Sequence, residues 1–135
     1  MFELLQTEAD HPLTFIAAPS AVFEPGMVGQ LMDGPNGLLV CGVSDGTNPL
    51  GIIDSIKEYR FKEIDYNNFV RIWWMRAKVV TDKYVRGEKY KDGCGLYVDK
   101  NGLFTPQILY ENAYPVARLL TAPTSKAPYC EILWI

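Results

Sequence analysis

Two Asn-Gly-Leu stretches, at residues 36–38 and 101–103, constrain the fold more than any other feature of this chain. Each lies between short apolar segments, the first in "GPNGLLV" and the second in "DKNGLF". Asn-Gly between two apolar runs is a strong signal of a β-hairpin, because both residues tolerate positive φ. The sequence therefore predicts two hairpins, 65 residues apart when counted from Gly37 to Gly102.

The surroundings of the two hairpins match as well. A turn glycine precedes each hairpin, and each is followed by a loop with a proline and then by another apolar strand. Either two hairpins share ordinary turn chemistry by chance, or residues 24–53 and 85–120 form a duplicated three-strand unit. Both interpretations predict an all-β, mainly antiparallel chain of about six to nine strands, folded as a small β-barrel or sandwich.

The turns of this fold can be placed from glycine and proline. We expect turns at 33–37, 44–49 and 99–102, where Gly, Asn, Asp and Pro concentrate. The structural turn residues are predicted to be Gly26, Gly37, Gly46, Gly87 and Gly102.

The chain of 135 residues is of single-domain length. Residues 1–20 contain two prolines and are predicted to form an extended N-terminal arm, with residues 21–135 as the β domain. Residues 55–69 follow neither a helical nor a strand period. The run "VRIWWMRAKVV" at 70–80 is rich in β-branched and aromatic residues and predicts one long strand.

The charge is unevenly distributed along the chain. Residues 71–91 hold seven basic residues against Asp82 and Glu88, a net charge of +5. Since the whole chain has a net charge of −3, the remaining residues carry −8. Such a surface could dock on a partner of complementary charge. On one long strand, Arg76 and Lys78 would share a face with Trp74. The predicted partner-binding residues are the arm residues Leu13, Phe15 and Ile16, together with Trp74, Arg76 and Lys78.

The interleaved aromatic and basic residues of 70–91 also raise nucleic-acid binding as an alternative, since aromatic faces can stack on bases. The same residues can be read as a strand with one apolar and one polar face, which needs no nucleic acid. We therefore regard nucleic acid as an unlikely partner.

Residues for catalysis or metal binding are sparse. The sequence has one histidine, His11, and three scattered cysteines, Cys41, Cys94 and Cys130, with no ligand or disulfide spacing. "SDGTN" at 44–48 lacks the other oxygen ligands of a calcium loop. We expect no catalytic residue, no cofactor and no metal, and thiols that stay reduced. No apolar run reaches the roughly 18 residues of a membrane span, so no membrane partner is expected.

Two segments resemble a known group of proteins. "FEPGMVGQL" and "NGLLVCGVSDGTNPLGIID" are similar to the small head-decoration, or cement, proteins of tailed bacteriophages. Those proteins have a strand led by Pro-Gly, a short hairpin and a "DGT-x-P-hydrophobic-G-I" element. The closing "YPVARLLTAPTSKAPYCEILWI" resembles the end of other phage virion proteins, where an apolar strand finishes in "E-x-L-W-hydrophobic". The resemblance covers residues 20–54 and 85–135 and rests on the pattern of turns. It assigns no site residues.

The resemblance implies a non-enzymatic structural protein of the virion, synthesised in the cytoplasm of a bacterial host. Such a protein would bind the major capsid protein lattice, often as a homo-oligomer, with a trimer as our expectation. The alternatives are another virion component (tail tube, baseplate or fibre-base domain) and a nucleic-acid-binding β-barrel.

Overall fold

The structure, a computed structural model, describes residues 1–19, 21–58 and 68–135. Within these ranges the chain is all-β, as predicted, with one 3-10 turn at Pro35–Gly37. The strands are β1 (Phe2–Thr7), β2 (Leu13–Ile16), β3 (Val28–Asp33), β4 (Leu39–Val43), β5 (Gly51–Glu58), β6 (Asn68–Trp73), β7 (Ala77–Thr81), β8 (Gly95–Val98), β9 (Phe104–Thr105), β10 (Ala117–Thr121) and β11 (Cys130–Trp134). Nothing helical in the described ranges has the length and apolar character of a membrane span.

These strands form two antiparallel sheets. Sheet I has five strands in the order β2-β6-β5-β3-β4, and sheet II has six in the order β1-β7-β11-β10-β8-β9. Of the two architectures that the sequence left open, the pair of sheets corresponds to a sandwich. The eleven described strands exceed the roughly six to nine expected. The excess arises because the N-terminal segment supplies two strands and residues 70–80 divide between two. Of the segment 55–69, residues 59–67 lie outside the described ranges.

The same strand order occurs in both sheets. If each run of five strands is lettered a to e along the chain, β2–β6 have the order a-e-d-b-c in sheet I, and β7–β11 have the same order in sheet II. β1 is additional and pairs with the outer edge of β7. In each run a parallel bridge joins the segment after strand a to strand c, between Ala17 and Cys41 and between Tyr84 and Phe104. The structural repeat is therefore longer than the units 24–53 and 85–120 that the sequence indicated.

The two Asn-Gly-Leu hairpins are equivalent in detail. In the first, the Gly34 N–H donates to the Leu38 carbonyl at 2.6 Å. In the second, 65 positions further on, the Asp99 N–H donates to the Leu103 carbonyl at 2.9 Å. The strand pairs next to these bonds keep the same offset: they are Asp33–Leu39 and Met32–Val40 in the first hairpin, and Val98–Phe104 and Tyr97–Thr105 in the second.

The glycines predicted at turns have positive φ, with values of +93° at Gly26, +74° at Gly37, +92° at Gly46, +84° at Gly87 and +77° at Gly102. The two hairpin glycines nevertheless differ in their surroundings. A Cβ atom on Gly102 would lie 2.5 Å from the Val43 Cγ1 atom, whereas one on Gly37 would meet nothing within 4 Å. The Gly102 carbonyl also accepts a hydrogen bond of 3.0 Å from the Val28 N–H. The second hairpin therefore packs its turn against sheet I.

Sheet I is buried on both faces, and this explains the two apolar clusters. Adjacent residues Ile52 and Ile53 of β5 point to opposite faces and are both fully buried. Ile52 and Val28 join the cluster formed mainly by sheet II, which lies between the sheets. Ile53 belongs to a second cluster with Val70, Ile72, Cys41, Ala17 and Phe23.

The N-terminal segment is extended, as expected, but it is not an arm outside the domain. β1 pairs with β7, and β2 pairs with β6. Phe2 and Leu4 pack against the cluster between the sheets, and Phe15 packs against the second cluster. The N-terminal segment is therefore part of both sheets, because its backbone and its apolar side chains have partners within the chain.

The single strand predicted at 70–80 is also corrected. β6 ends at Trp73 in sheet I, and β7 begins at Ala77 in sheet II, so residues 74–76 form a corner between the sheets. Trp73 is buried and its indole N–H donates to the Asp54 carboxylate at 3.0 Å, while Trp74 is exposed. A pattern of alternating residues could not reveal this change of sheet, because apolar residues continue on both sides of it.

Candidate functional site

Two topologically equivalent loops meet at one end of the molecule. The β4–β5 loop (residues 44–50) and the β9–β10 loop (residues 106–116) both join strand c to strand d of their repeats. The Tyr110 hydroxyl donates a hydrogen bond of 2.8 Å to the Asp45 carbonyl. A Cβ atom on Gly46 would lie 2.4 Å from the Val98 carbonyl oxygen and 3.0 Å from the Tyr110 ring. Glycine at position 46 therefore permits the close approach of the two loops.

The β4–β5 loop is held by its own hydrogen bonds. The Ser44 hydroxyl donates to the Gln30 side-chain oxygen at 3.0 Å and accepts from the Gly46 N–H at 3.1 Å. The Asp45 carboxylate accepts from the backbone N–H and the hydroxyl of Thr47. The hydroxyl of Thr47, together with its N–H, lowers the pKa of Asp45. These hydrogen bonds hold the loop in one conformation before any partner binds.

The β9–β10 loop presents apolar side chains to solvent. The exposed fractions are 62% for Ile108, 50% for Leu109, 40% for Tyr110 and 84% for Tyr114. Asn112 in the same loop has φ of +64°, a conformation that L-residues adopt at some cost. Contiguous exposed apolar residues on a soluble domain mark interaction surfaces more often than isolated ones do.

A cleft of about 410 Å³ lies between the two loops. Tyr97, Tyr110 and Tyr114 line it, together with Glu111. Of the residues that the structure describes, no lysine or arginine lines it. A second groove of about 360 Å³ lies on the other side of Leu109 and Tyr110 and is lined by Glu88, Asp99 and Lys100, among others. The loop therefore forms an apolar ridge between two grooves in which acids outnumber bases.

The register of sheet II places the β6–β7 corner at the same end as this cleft. Ala77, Trp134, Ala117 and Leu96 face one another in a row across four neighbouring strands. The residues one step beyond this row are Arg76, Ile135, Val116 and Tyr97, and the last two line the cleft. The Ile135 N–H donates to the Val116 carbonyl at 3.0 Å, which fixes that step. We call the corner 74–76, Ile135 and the loops 44–50 and 106–116 the docking end.

Two of the six residues predicted to bind a partner lie at the docking end. Trp74 and Arg76 are exposed at the corner. Lys78 lies on β7, where its ammonium group is 2.9 Å from the Glu131 carboxylate. Leu13, Phe15 and Ile16 form β2, so the arm anchor that they were expected to provide is a strand of sheet I.

Several basic residues of 71–91 have partners within the chain. Lys83 forms ion pairs with Glu24 and Asp82, and its hydrogen bond to Glu24 raises its pKa. The Arg86 guanidinium lies 4.2 Å from the centre of the Tyr84 ring and bonds to the Tyr84 hydroxyl. Part of the positive charge that the sequence offered to a partner is therefore used within the chain.

Two of the three cysteines are poor candidates for nucleophiles. Burial raises the pKa of Cys41 to about 11 and that of Cys130 to about 12, so both thiols stay protonated at neutral pH. Cys94 is half-buried and His11 is exposed. Across the described ranges, no three His, Cys, Asp or Glu side chains are grouped so that they could hold a metal ion.

Sequence reasoning missed the exposed residues of the β9–β10 loop. The available signal was the run "ILY" at 108–110, which follows Pro106 and Gln107 and precedes another break at Pro115. An apolar run inside a turn-rich segment, too short to be one of the strands, indicates an exposed surface.

No family model matches the sequence, and no curated protein or solved structure matches it.

Proposed function

We propose that this protein is a non-enzymatic structural protein that binds to a larger assembly through the docking end. The observation that carries the proposal is the exposure of Ile108, Leu109, Tyr110 and Tyr114 on the β9–β10 loop. Following the resemblance to cement proteins, the assembly is the particle of a tailed bacteriophage, and the role is decoration of the major capsid protein lattice.

The comparison between equivalent loops supports this function. Both loops connect strand c to strand d, so each makes the same connection between strands of the fold. The β4–β5 loop carries small and polar residues, "SDGTNP", whereas the β9–β10 loop is longer and carries four exposed apolar side chains. An apolar surface found on only one of two equivalent loops serves something other than folding.

The composition of the docking end suits a protein partner. Tyrosine and tryptophan are enriched at the centres of protein interfaces, since they bury large areas and lose little side-chain entropy. The Tyr110–Asp45 hydrogen bond and the internal bonds of the β4–β5 loop hold the surface in place before binding. Preorganisation of this kind lowers the entropic cost of association.

The proposal is tested by binding to undecorated particles. Ile108→Ser and Tyr114→Ser should each weaken particle association by about tenfold or more, because each removes an exposed apolar contact. Val22→Ser is the matched control, since Val22 is 79% exposed and lies outside the docking end. Full-strength binding by both loop variants would remove the docking end from the proposal. Absence of particle binding by the unmodified chain would remove the capsid role.

A further inference from the structure

We infer that the docking end binds the docking end of a second copy of this chain about a two-fold axis, with Arg76 of each copy against the tyrosine-lined cleft of the other. This inference rests on the proposed function in one respect, namely that the docking end is an interface. It adds a second copy of this chain as a partner that occupies this surface when the capsid protein does not.

The lining of the cleft is complementary to a cation. Among the described residues that line the cleft, only Glu111 has a side chain that is charged at neutral pH. Glu111 is exposed and has no ion-pair partner in the described part of the chain. Tyr114 is the most exposed of the aromatic residues that line the same cleft. A cleft lined by one glutamate and several tyrosines suits a guanidinium group, which pairs with carboxylates and stacks on aromatic rings.

The same end of the molecule supplies that cation. Arg76 is exposed at the β6–β7 corner, and among the described residues its guanidinium has no carboxylate partner. Its neighbour Trp74 is also exposed. Lys78 and Lys83, by contrast, are already paired with carboxylates. Arg76 is therefore a basic group of this region that remains available to a partner.

The relative position of the two groups selects the symmetry. The strands that lead to Arg76 and to the cleft, β7 and β8, are three places apart in sheet II. At about 4.8 Å for each step, the separation is about 14 Å along one end of the sheet. Complementary patches side by side on one end are brought together twice by a two-fold rotation. A cyclic trimer would need them on faces turned by about 120° from each other.

Apolar residues would occupy the space between the two ionic contacts. Ile135 is 51% exposed and lies between Arg76 and the cleft in the register of sheet II. In such an interface the exposed aromatic and aliphatic side chains supply most of the affinity, and the charge pairs set the register and the rate of encounter.

The test is sedimentation equilibrium of the full chain and its charge-reversal variants. We expect a reversible dimer, and we expect E111K and R76E each to raise the dimer dissociation constant by about tenfold or more, because each places like charges opposite one another. An equimolar mixture of the two variants should form a heterodimer, since both contacts then join opposite charges. Asp33→Lys and Lys89→Glu are matched controls with the same charge changes at exposed residues outside the docking end.

Four outcomes would overturn the inference: a chain that stays monomeric up to about 0.5 mM, a trimer, a dimer unaffected by both reversals, or variants that do not associate when mixed. The proposed function is judged separately, by particle binding. A monomeric chain whose Tyr114→Ser variant loses particle binding would refute the dimer and retain the docking end as the surface for another protein. A dimer that never binds particles would retain the dimer and refute the capsid role.

Discussion

The Tyr110 hydroxyl lies 2.8 Å from the Asp45 carbonyl oxygen and joins two loops that hold the same place in two repeats. The residues are 65 positions apart, yet the hydrogen bond makes their loops the two walls of one cleft. The site therefore depends on the repeat, since neither loop encloses the cleft without the other.

Replacing Tyr110 by Phe removes only this hydroxyl. We expect the free energy of unfolding to fall by about 0.5 to 1.5 kcal/mol, the usual net worth of one hydrogen bond. Amide hydrogen exchange should increase in residues 106–116, because the loop loses its attachment to Asp45. Tyr129→Phe is the control, since Tyr129 is also 40% exposed and its hydroxyl has no hydrogen bond to any residue that the structure describes. Equal exchange in both variants would show that the hydroxyl does not hold the loop.

The two hairpin glycines should respond differently to alanine. Gly37→Ala should cost about 1 to 2 kcal/mol, because an L-residue is strained at positive φ. Gly102→Ala carries the same strain and also places a methyl group 2.5 Å from the Val43 Cγ1 atom. Overpacking of this kind adds about 1 to 3 kcal/mol. Urea unfolding of the two variants measures the difference, and equal losses would contradict the packing of the second turn against sheet I.

Deletion of residues 1–16 should destabilise the domain. The deletion removes β1 and β2 and exposes the apolar surface that Phe2, Leu4 and Phe15 cover. The loss of buried side chains of this size predicts a cost of about 3 kcal/mol or more. Circular dichroism melting of the truncated chain gives the result. A melting temperature equal to that of the full chain would restore the interpretation of this segment as a detachable arm.

The cysteines should differ in their reaction with iodoacetamide in the native protein. Cys94 is half-buried and should be modified first at pH 8. Thiols with pKa values of about 11 and 12, as for Cys41 and Cys130, have about one thiolate in a thousand molecules or fewer at that pH. Since a higher pH produces more thiolate, modification of these two should rise about tenfold per pH unit until the fold is lost. Mass spectrometry identifies the modified residues, and rapid labelling of Cys41 at pH 8 would contradict its burial.

Much of the local structure could be predicted from sequence. The turns at 33–37 and 99–102, the strands on either side of each and the positive φ of Gly37 and Gly102 follow from short-range chemistry. Asn-Gly closes a hairpin by its own backbone preferences, and alternation places side chains on the two faces of a strand. Neither depends on residues far along the chain.

The docking end could not be predicted in the same way. The exposed run at 108–110 resembles part of a strand until its neighbours in space are known, and the corner at 74–76 interrupts a run that looks continuous in sequence. Trp74 and Arg76 were predicted to bind a partner because one continuous strand would have placed them on the same face as Lys78. The structure has no such strand, but both residues lie at the end of the molecule where the cleft is found.

The sequence by itself determined the class of fold, the positions of the turns and the equivalence of the two hairpins, because these depend on residues within a few positions of one another. Only the tertiary structure decided which strands pair, that residues 2–7 and 13–16 belong to the sheets, and that the loops at 44–50 and 106–116 meet. The reason is physical. A β-strand can satisfy its backbone with any partner of suitable length, and the choice is made by the burial of apolar faces across the whole chain.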